Sequence, residues 1–481
     1  MKKSRYILSV LILGVLTTVL QAQTVTVSEP VSVRNESTYQ LLGKMGNHFL
    51  VFFNRSTEFE VTGYREDMSK AWDKEIVLDK RRPEIKSILP SFSGFDLFYL
   101  FRERGDLLLK WHQYNPGANL IDSMTIRNFG NPISTTYSPV IALESENKEY
   151  IAFYQIEQQR TIKAFTFHIP TRKIVWETAF GFSEPINGKS FRQIMLTDGG
   201  DLYFFYERFN RRNQIEQHYF ECYQFGPTSS LELVNFKIPM QSHLTFDVLF
   251  SYDNLNEILI AGGMYGNESL AYANGYFFSK VNPRLTGFPQ TKFIPFEEEF
   301  IFKFARDKKA QKRLGIELTS IREIVHRRDG GILLIGEQNK KYERNISGGR
   351  PSLAGYGGRF ITDYYFDDLF MISIHPDGET HWENILYKRQ YSQDDDAVFS
   401  SYLLLKTPTA LRMLYNDEIK YENAVFEYVI NGSGEVDRNA VLNTESQQLQ
   451  LRIKDGVQVG ANDVLIPSER KNRLKLVRVQ F

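Results

Sequence analysis

The chain has 481 residues, 42% of them hydrophobic and 14% aromatic, with 37 Phe and 26 Tyr. That composition is ample for a large core and favours strands packed face to face. Lys plus Arg and Asp plus Glu both total 58, which argues against a nucleic-acid partner, because such proteins carry a basic surplus.

The first 22 residues read as a signal peptide. Lys2, Lys3 and Arg5 are followed by an apolar run from Tyr6 to Leu20 and by the small residue Ala22. The run is too short for a typical membrane span. Residues 23–481 are therefore the expected mature chain, exported to the periplasm, the outer membrane or the exterior; an uncleaved anchor is the alternative. No later stretch is apolar and long enough for a transmembrane helix. Cys222 is the sole cysteine, so an exported fold here holds together without an internal disulfide, and a buried, inert thiol is expected.

A phrase then recurs. Asp198-Gly199-Gly200 runs into a strand ending at Glu207, and Asp329-Gly330-Gly331 into one ending at Glu337. Gly46-Asn47, Gly94 and Asn147-Lys148 open looser copies. Each is a tight turn feeding a short apolar strand, and a repeat of roughly 45–55 residues predicts an all-β propeller. Blades are expected over 37–79, 84–126, 139–180, 191–238, 243–296, 320–388 and 397–442. The remaining strands, at 449–453, 463–466 and 474–481, are one short of a blade. The N-terminal strand 24–33 is expected to close it, giving eight blades, with seven as the alternative. The apolar runs after the turns are expected to be the inner strands. Val477, Val479 and Phe481 alternate as the last strand of an outer-membrane barrel would, but runs apolar on both faces favour stacked blades.

Two insertions interrupt the pattern. Residues 297–315 read as a helix, with three glutamates at its start, basic residues near its end and Gly315 as a stop. Its apolar stripe, Phe300, Ile301 and Phe304, is either packed on the rim or a docking surface. Residues 339–363 read as a Gly/Arg-rich hairpin carrying Arg344, Arg350, Tyr356 and Arg359. Such a loop suits recognition of a partner or an anionic glycan.

Asp377-Gly378-Glu-Thr-His-Trp382 has a turn followed by Gly-x-x-x-Trp, with degenerate copies ending at Trp72 and Trp176. The motif resembles the tryptophan-docking repeat of quinoprotein-type propellers, including the outer-membrane assembly propeller. The resemblance implies that Trp72, Trp176 and Trp382 are structural, each packing between blades. The text from Arg328 to Gln338, through Tyr364–Ile374, to Trp382 and Lys388–Gln390 is similar to secreted propeller proteins common in Bacteroidetes, which implies export and a propeller but no activity.

No catalytic motif is present: no His-Glu-x-x-His, no Gly-x-Ser-x-Gly and no zinc-spaced cluster. No catalytic residue and no cofactor is expected. Asp394, Asp395 and Asp396 form an acidic run on a loop that oxygen-ligand chemistry for Ca²⁺ would suit. The expected function is a non-enzymatic binding or scaffold protein for a protein or cell-envelope partner. The alternatives are a carbohydrate-binding or glycan-active propeller and an outer-membrane assembly factor.

Overall fold

The computed structural model describes residues 23–33, 38–55, 57–80, 82–131, 138–182, 185–186, 188–282, 289–306, 315–346, 359–417, 419, 424–445 and 447–481. The expected signal peptide lies outside them. Strands form eight antiparallel sheets arranged as the blades of one propeller. Blade 1 comprises Thr38–Met45, His48–Asn54, Phe59–Tyr64 and Lys70–Ile76. Blade 2 starts at Glu84, blade 3 at Ile141, blade 4 at Phe191, blade 5 at Leu244, blade 6 at Thr319 and blade 7 at Leu403.

Blade 8 is built from both ends of the chain. Val457–Gly460, Asp463–Arg470 and Arg473–Gln480 come from the C-terminus, and Thr24–Val27 and Val31–Ser32 pair with the last of these. Ser28 adds two bonds to the same strand, its N–H to the Leu476 carbonyl and its Oγ accepting from the Leu476 N–H, both at 2.9 Å. The expected strand over 449–453 is absent: a single bridge, Leu451 to Ser468, and a 3-10 turn at Ile453–Asp455 stand there. Val457–Gly460 takes the place of the first strand. Val477 and Val479 are buried, as is Arg478 between them, so the strand is a blade interior and not a lipid-facing wall.

The apolar runs after the turns are the second strands of their blades. The first strands lie nearest the axis, and those of blade 8 and blades 1 to 6 touch one another in sequence around it. Second strands are buried on both faces because they are sandwiched between neighbouring blades as well as paired on both edges. Phe95 to Phe101 and Ile332 to Ile335 are inside throughout. The recurring turn sets this geometry. In blade 4, Thr197 N–H bonds Asp201 O at 2.9 Å and Gly200 stands at φ +82°; in blade 6, Arg327 bonds Gly331 and Gly330 stands at +84°. That left-handed conformation costs least at glycine.

Eight apolar clusters fill the eight junctions between consecutive blades, the last joining blade 8 to blade 1 through Leu465, Leu476, Phe49 and Val51. Cys222 sits in the cluster of blades 4 and 5 beside Phe220, and burial pushes its thiol well above the ordinary range.

Candidate functional site

Strand direction assigns each connection to a face. Every blade runs first strand down, second up, third down and fourth up. The turns after first and third strands therefore lie on one face, the turn face. The loops after second strands and the connections between blades lie on the opposite, connection face. The larger elaborations among the described residues, a helix, an arm and an added strand, fall on the connection face at blades 5 to 7; blade 4 carries only short 3-10 turns, Arg212–Gln217 and, on the turn face, Pro227–Ser229.

The first is the helix Glu298–Ala305, in the connection from blade 5 to blade 6. Glu298 and Glu299 in its first turn and Lys303 in its last complement the helix dipole. It ends at Arg306, in a left-handed conformation at φ +48°; residues 307–314 lie outside the described set. Phe300, Ile301 and Phe304 are turned inward against Phe296 and Phe370, at 4%, 0% and 1% exposure. The stripe belongs to the core and offers no surface to a partner. Phe302, on the other side, is exposed.

The second is an arm. Strands Ile332–Ile346 and Arg359–Ile374 of blade 6 continue well past the end of the blade, paired from Asn339–Phe366 to Ile346–Arg359. Gln390–Gln393 adds a third strand against Asp363–Phe366. The arm thus holds Arg344, exposed and bound by its guanidinium to Asp363. Asp363 also accepts from the Tyr391 hydroxyl at 2.8 Å and the Gln393 amide at 3.1 Å. Arg344 lowers the Asp363 carboxyl to about 2. On this face Tyr342, Tyr365 and Tyr391 form a row, with centroids 6.0 and 5.0 Å apart, and Lys340 lies over Tyr342 and Tyr365. On the other face Lys341 pairs with Glu343 at 3.1 Å. Arg350 and Tyr356 lie outside the described residues, and of Arg359 only the backbone, opening its strand, is described.

A bulge re-aims the arm where it leaves the blade. The pairing steps from Glu337–Leu369 to Asn339–Phe366, so Asp367 and Asp368 stand against Gln338 alone. Extra residues of this kind bend a strand and disrupt its ladder. A buried charge network fills the break. Lys388 and Glu337, both fully buried, pair at 2.8 Å. Lys388 also donates to the Phe366 carbonyl and to Gln390, both at 3.0 Å. Glu337 receives Arg322 at 3.0 Å and Ser401 at 2.9 Å. Asp368 accepts from the Lys388 N–H at 3.0 Å and from Arg306 at 2.7 Å. The network ties the helix end, the arm root, the first strand of blade 6 and the entry to blade 7. Burial lowers the Lys388 ammonium, against the pull of Glu337, and raises Asp368 to about 6, against Arg306. Sequence reading missed this network. The available signal was Glu337, a charge closing a run buried on both faces.

The acidic run does not converge. Asp394 accepts from the Thr362 N–H, Asp395 from Ser392 and Ala397, and Asp396 from the Tyr364 hydroxyl. Each carboxylate serves its own loop or the arm, and among the described residues no group of three metal-type ligands is placed to hold an ion.

The three motif tryptophans, Trp72, Trp176 and Trp382, lie on the fourth strands of their blades, whereas Trp111 lies on a third strand. Trp176 donates to the Gly200 carbonyl in the turn of blade 4 at 2.9 Å, and Trp382 to Gly432 in blade 7 at 3.2 Å. The Trp382 ring covers Gly434, where a side-chain carbon would lie 2.6 Å from it. Trp72 instead lies over Gly63 of its own blade, with its edge toward the cluster of blades 1 and 2.

Around the axis the first strands are stitched side by side. Gln40 donates to Ile88 O, Ser87 to Glu144, and Gln193 brackets Phe250. Asp247 accepts from Ile321 N–H, and Gln458 brackets Lys406. At the turn face a pocket of about 460 Å³ holds Glu144, Glu146, Lys148, Ser251 and Asn254. Lys148 pairs with Glu144 and Asn254 donates to Glu146. A groove of about 860 Å³ opens between blades 2 and 3 on the connection face. Its rings, Phe129 and Phe165, are covered by Arg127, itself paired with Glu177.

No protein-family model matches the chain, and no curated protein matches it by sequence. Solved structures match it over most of its length. The β-propeller domain of the Trilobed protease from Pyrococcus furiosus is 10% identical over 83% of this chain and 95% of its own, with a TM-score of 0.36. A europium-containing methanol dehydrogenase is 8% identical over 92% and 84%, at 0.41. Dipeptidyl peptidase 4 of Porphyromonas gingivalis is 11% identical over 91% of this chain and 56% of its own, at 0.44. At these levels the likeness concerns the fold alone.

Proposed function

We propose that this protein is an exported, non-enzymatic propeller that binds a protein or cell-envelope partner through its connection face. The observation that carries the reading is the gathering of helix, arm and extra strand on that one face, at blades 5 to 7. Phe302, Phe360 and Tyr387 are exposed there at 44%, 67% and 45%. Exposed large rings beside cations are the composition that interfaces favour over the rest of a surface. Arg306 lies over Tyr387, and Arg389 is exposed beside it. The charge network at the arm root supports the same reading, since it holds these elements rigidly relative to one another.

The test is a crosslinking pull-down from the native envelope with Phe302→Ala, Phe360→Ala and Tyr387→Ala, alone and together. A partner captured by the native chain should be lost by about tenfold or more in the triple variant, as for truncated anchor residues. Phe92→Ala, on the turn face, is the control for an exposed ring elsewhere. Equal capture by native and triple variant chains overturns the docking face. N-terminal sequencing of the mature protein, expected to begin at Gln23, tests export.

A further inference from the structure

Among the described residues, one edge of the arm carries no partner strand. Thr319–His326 pairs with its neighbour only as far as Gln338, and Asn339 N–H bonds the Leu318 carbonyl. Beyond that, among the described residues, no strand pairs with the outer side of Lys340–Ile346. About 23 Å of strand therefore presents backbone donors and acceptors to solvent. An edge of this length is a template for strand addition.

We propose that the occupant is a second copy of this chain, paired antiparallel along the same edge about a twofold axis at Tyr342. The argument is self-complementarity. In that register Lys341 faces the second copy's Glu343, and Glu343 its Lys341, on one face of a continuous six-stranded sheet. The two Lys341–Glu343 pairs already present become a square of alternating charge. On the other face the two Tyr342 rings, each 48% exposed, meet at the axis. Lys340 faces Arg344, but Asp363 holds that guanidinium on the same face, and Lys340 lies on the Tyr342 and Tyr365 rings. Lysines on an edge ordinarily repel a second strand; here a carboxylate or a ring stands opposite or beside each. The bulge at Asp367–Asp368 and the buried Lys388–Glu337 pair orient the edge. The pairing is independent of the envelope partner proposed above, and would set two connection faces toward one another for bivalent binding.

The test is sedimentation velocity of the purified protein across a concentration series, with K341E, E343K and the double variant. The expected result is a monomer–dimer equilibrium, weakened about tenfold by either single reversal, since like charges then face each other twice. The double reversal restores the alternation and should return the midpoint to within about threefold of the native value. Tyr342→Cys provides a second reading, because Cys222 is buried: a short bismaleimide should link two chains through position 342 and fail to do so through Phe92→Cys. A monomer at all concentrations up to about 100 µM, a dimer indifferent to both reversals, a double variant as weak as the singles, or equal linking at 92 and 342 each overturns the proposal.

Discussion

Asp96 shows how single positions in this fold are set by their surroundings. It sits in the second strand of blade 2, 5% exposed, and accepts from the Trp111 indole N–H at 2.8 Å. Burial raises its carboxyl to about 6. A raised carboxyl binds its proton more tightly folded than unfolded. Its contribution to stability therefore falls as pH rises from about 4 to about 6, and stays at its lowest above. Asp96→Asn keeps an acceptor for Trp111 and removes the charge. The variant should be more stable than the native chain by about 1–3 kcal/mol at pH 8, with the gap closing toward pH 4. Denaturant unfolding at the two values measures it; an equal gap at both would reject the account. At this scale the sequence showed identities and left environments open. Trp176 and Trp382 were legible as structural residues from their motif, yet the carbonyls they bond belong to neighbouring blades, remote in the chain.

The elements divide by whether their pattern was local. A helix was legible from its leading glutamates and apolar stripe, because both arise within a few turns; of the expected 297–315, Glu298–Ala305 is helical, and the basic residues expected near its end lie outside the described set. Which way the stripe faced was not, since an amphipathic helix looks the same against its own core as against a partner. The arm was legible as an insertion, and its length as paired strand was not. Glycine and arginine content marks a loop in general, whereas Lys340 to Ile346 pairs because Arg359 to Tyr365 lies opposite. Of the charge network at its root only Glu337 stood out in the sequence, because its partners Lys388, Arg322 and Arg306 come from three other segments of the chain. Its energetics yield a prediction. Lys388→Met leaves Glu337 buried with Arg322 as its remaining cation and should cost about 1–3 kcal/mol, while Lys388→Met with Glu337→Gln should recover part of that loss. Thermal and denaturant unfolding of the three chains would show it. A double variant no better than the single would mean that the cost is packing and not uncompensated charge.

For the molecule as a whole, the decisive contact joins the two ends of the chain. Thr24–Val27 and Val31–Ser32 cover the edge of Arg473–Gln480, and Val33 enters the cluster that joins blade 8 to blade 1. Deleting residues 24–33 should open that edge, lower the melting temperature by about 5–10 °C and promote association through the bare strand. A synthetic 24–33 peptide added in excess should restore the melting point, as ligand binding to the native state does. A deletion that melts as the native chain does would refute the closure. The sequence by itself determined the repeat: tight turns with a left-handed position, strands apolar on both faces and, beyond seven blades, an incomplete blade at the C-terminus with a spare strand at the N-terminus, since turn chemistry and burial pattern are local. The tertiary structure decided the rest. It set which strand lines the axis, that the helix stripe is core, and that the insertions share one face. Those depend on how eight similar sheets pack in a ring, and residues hundreds of positions apart meet only when the ring closes.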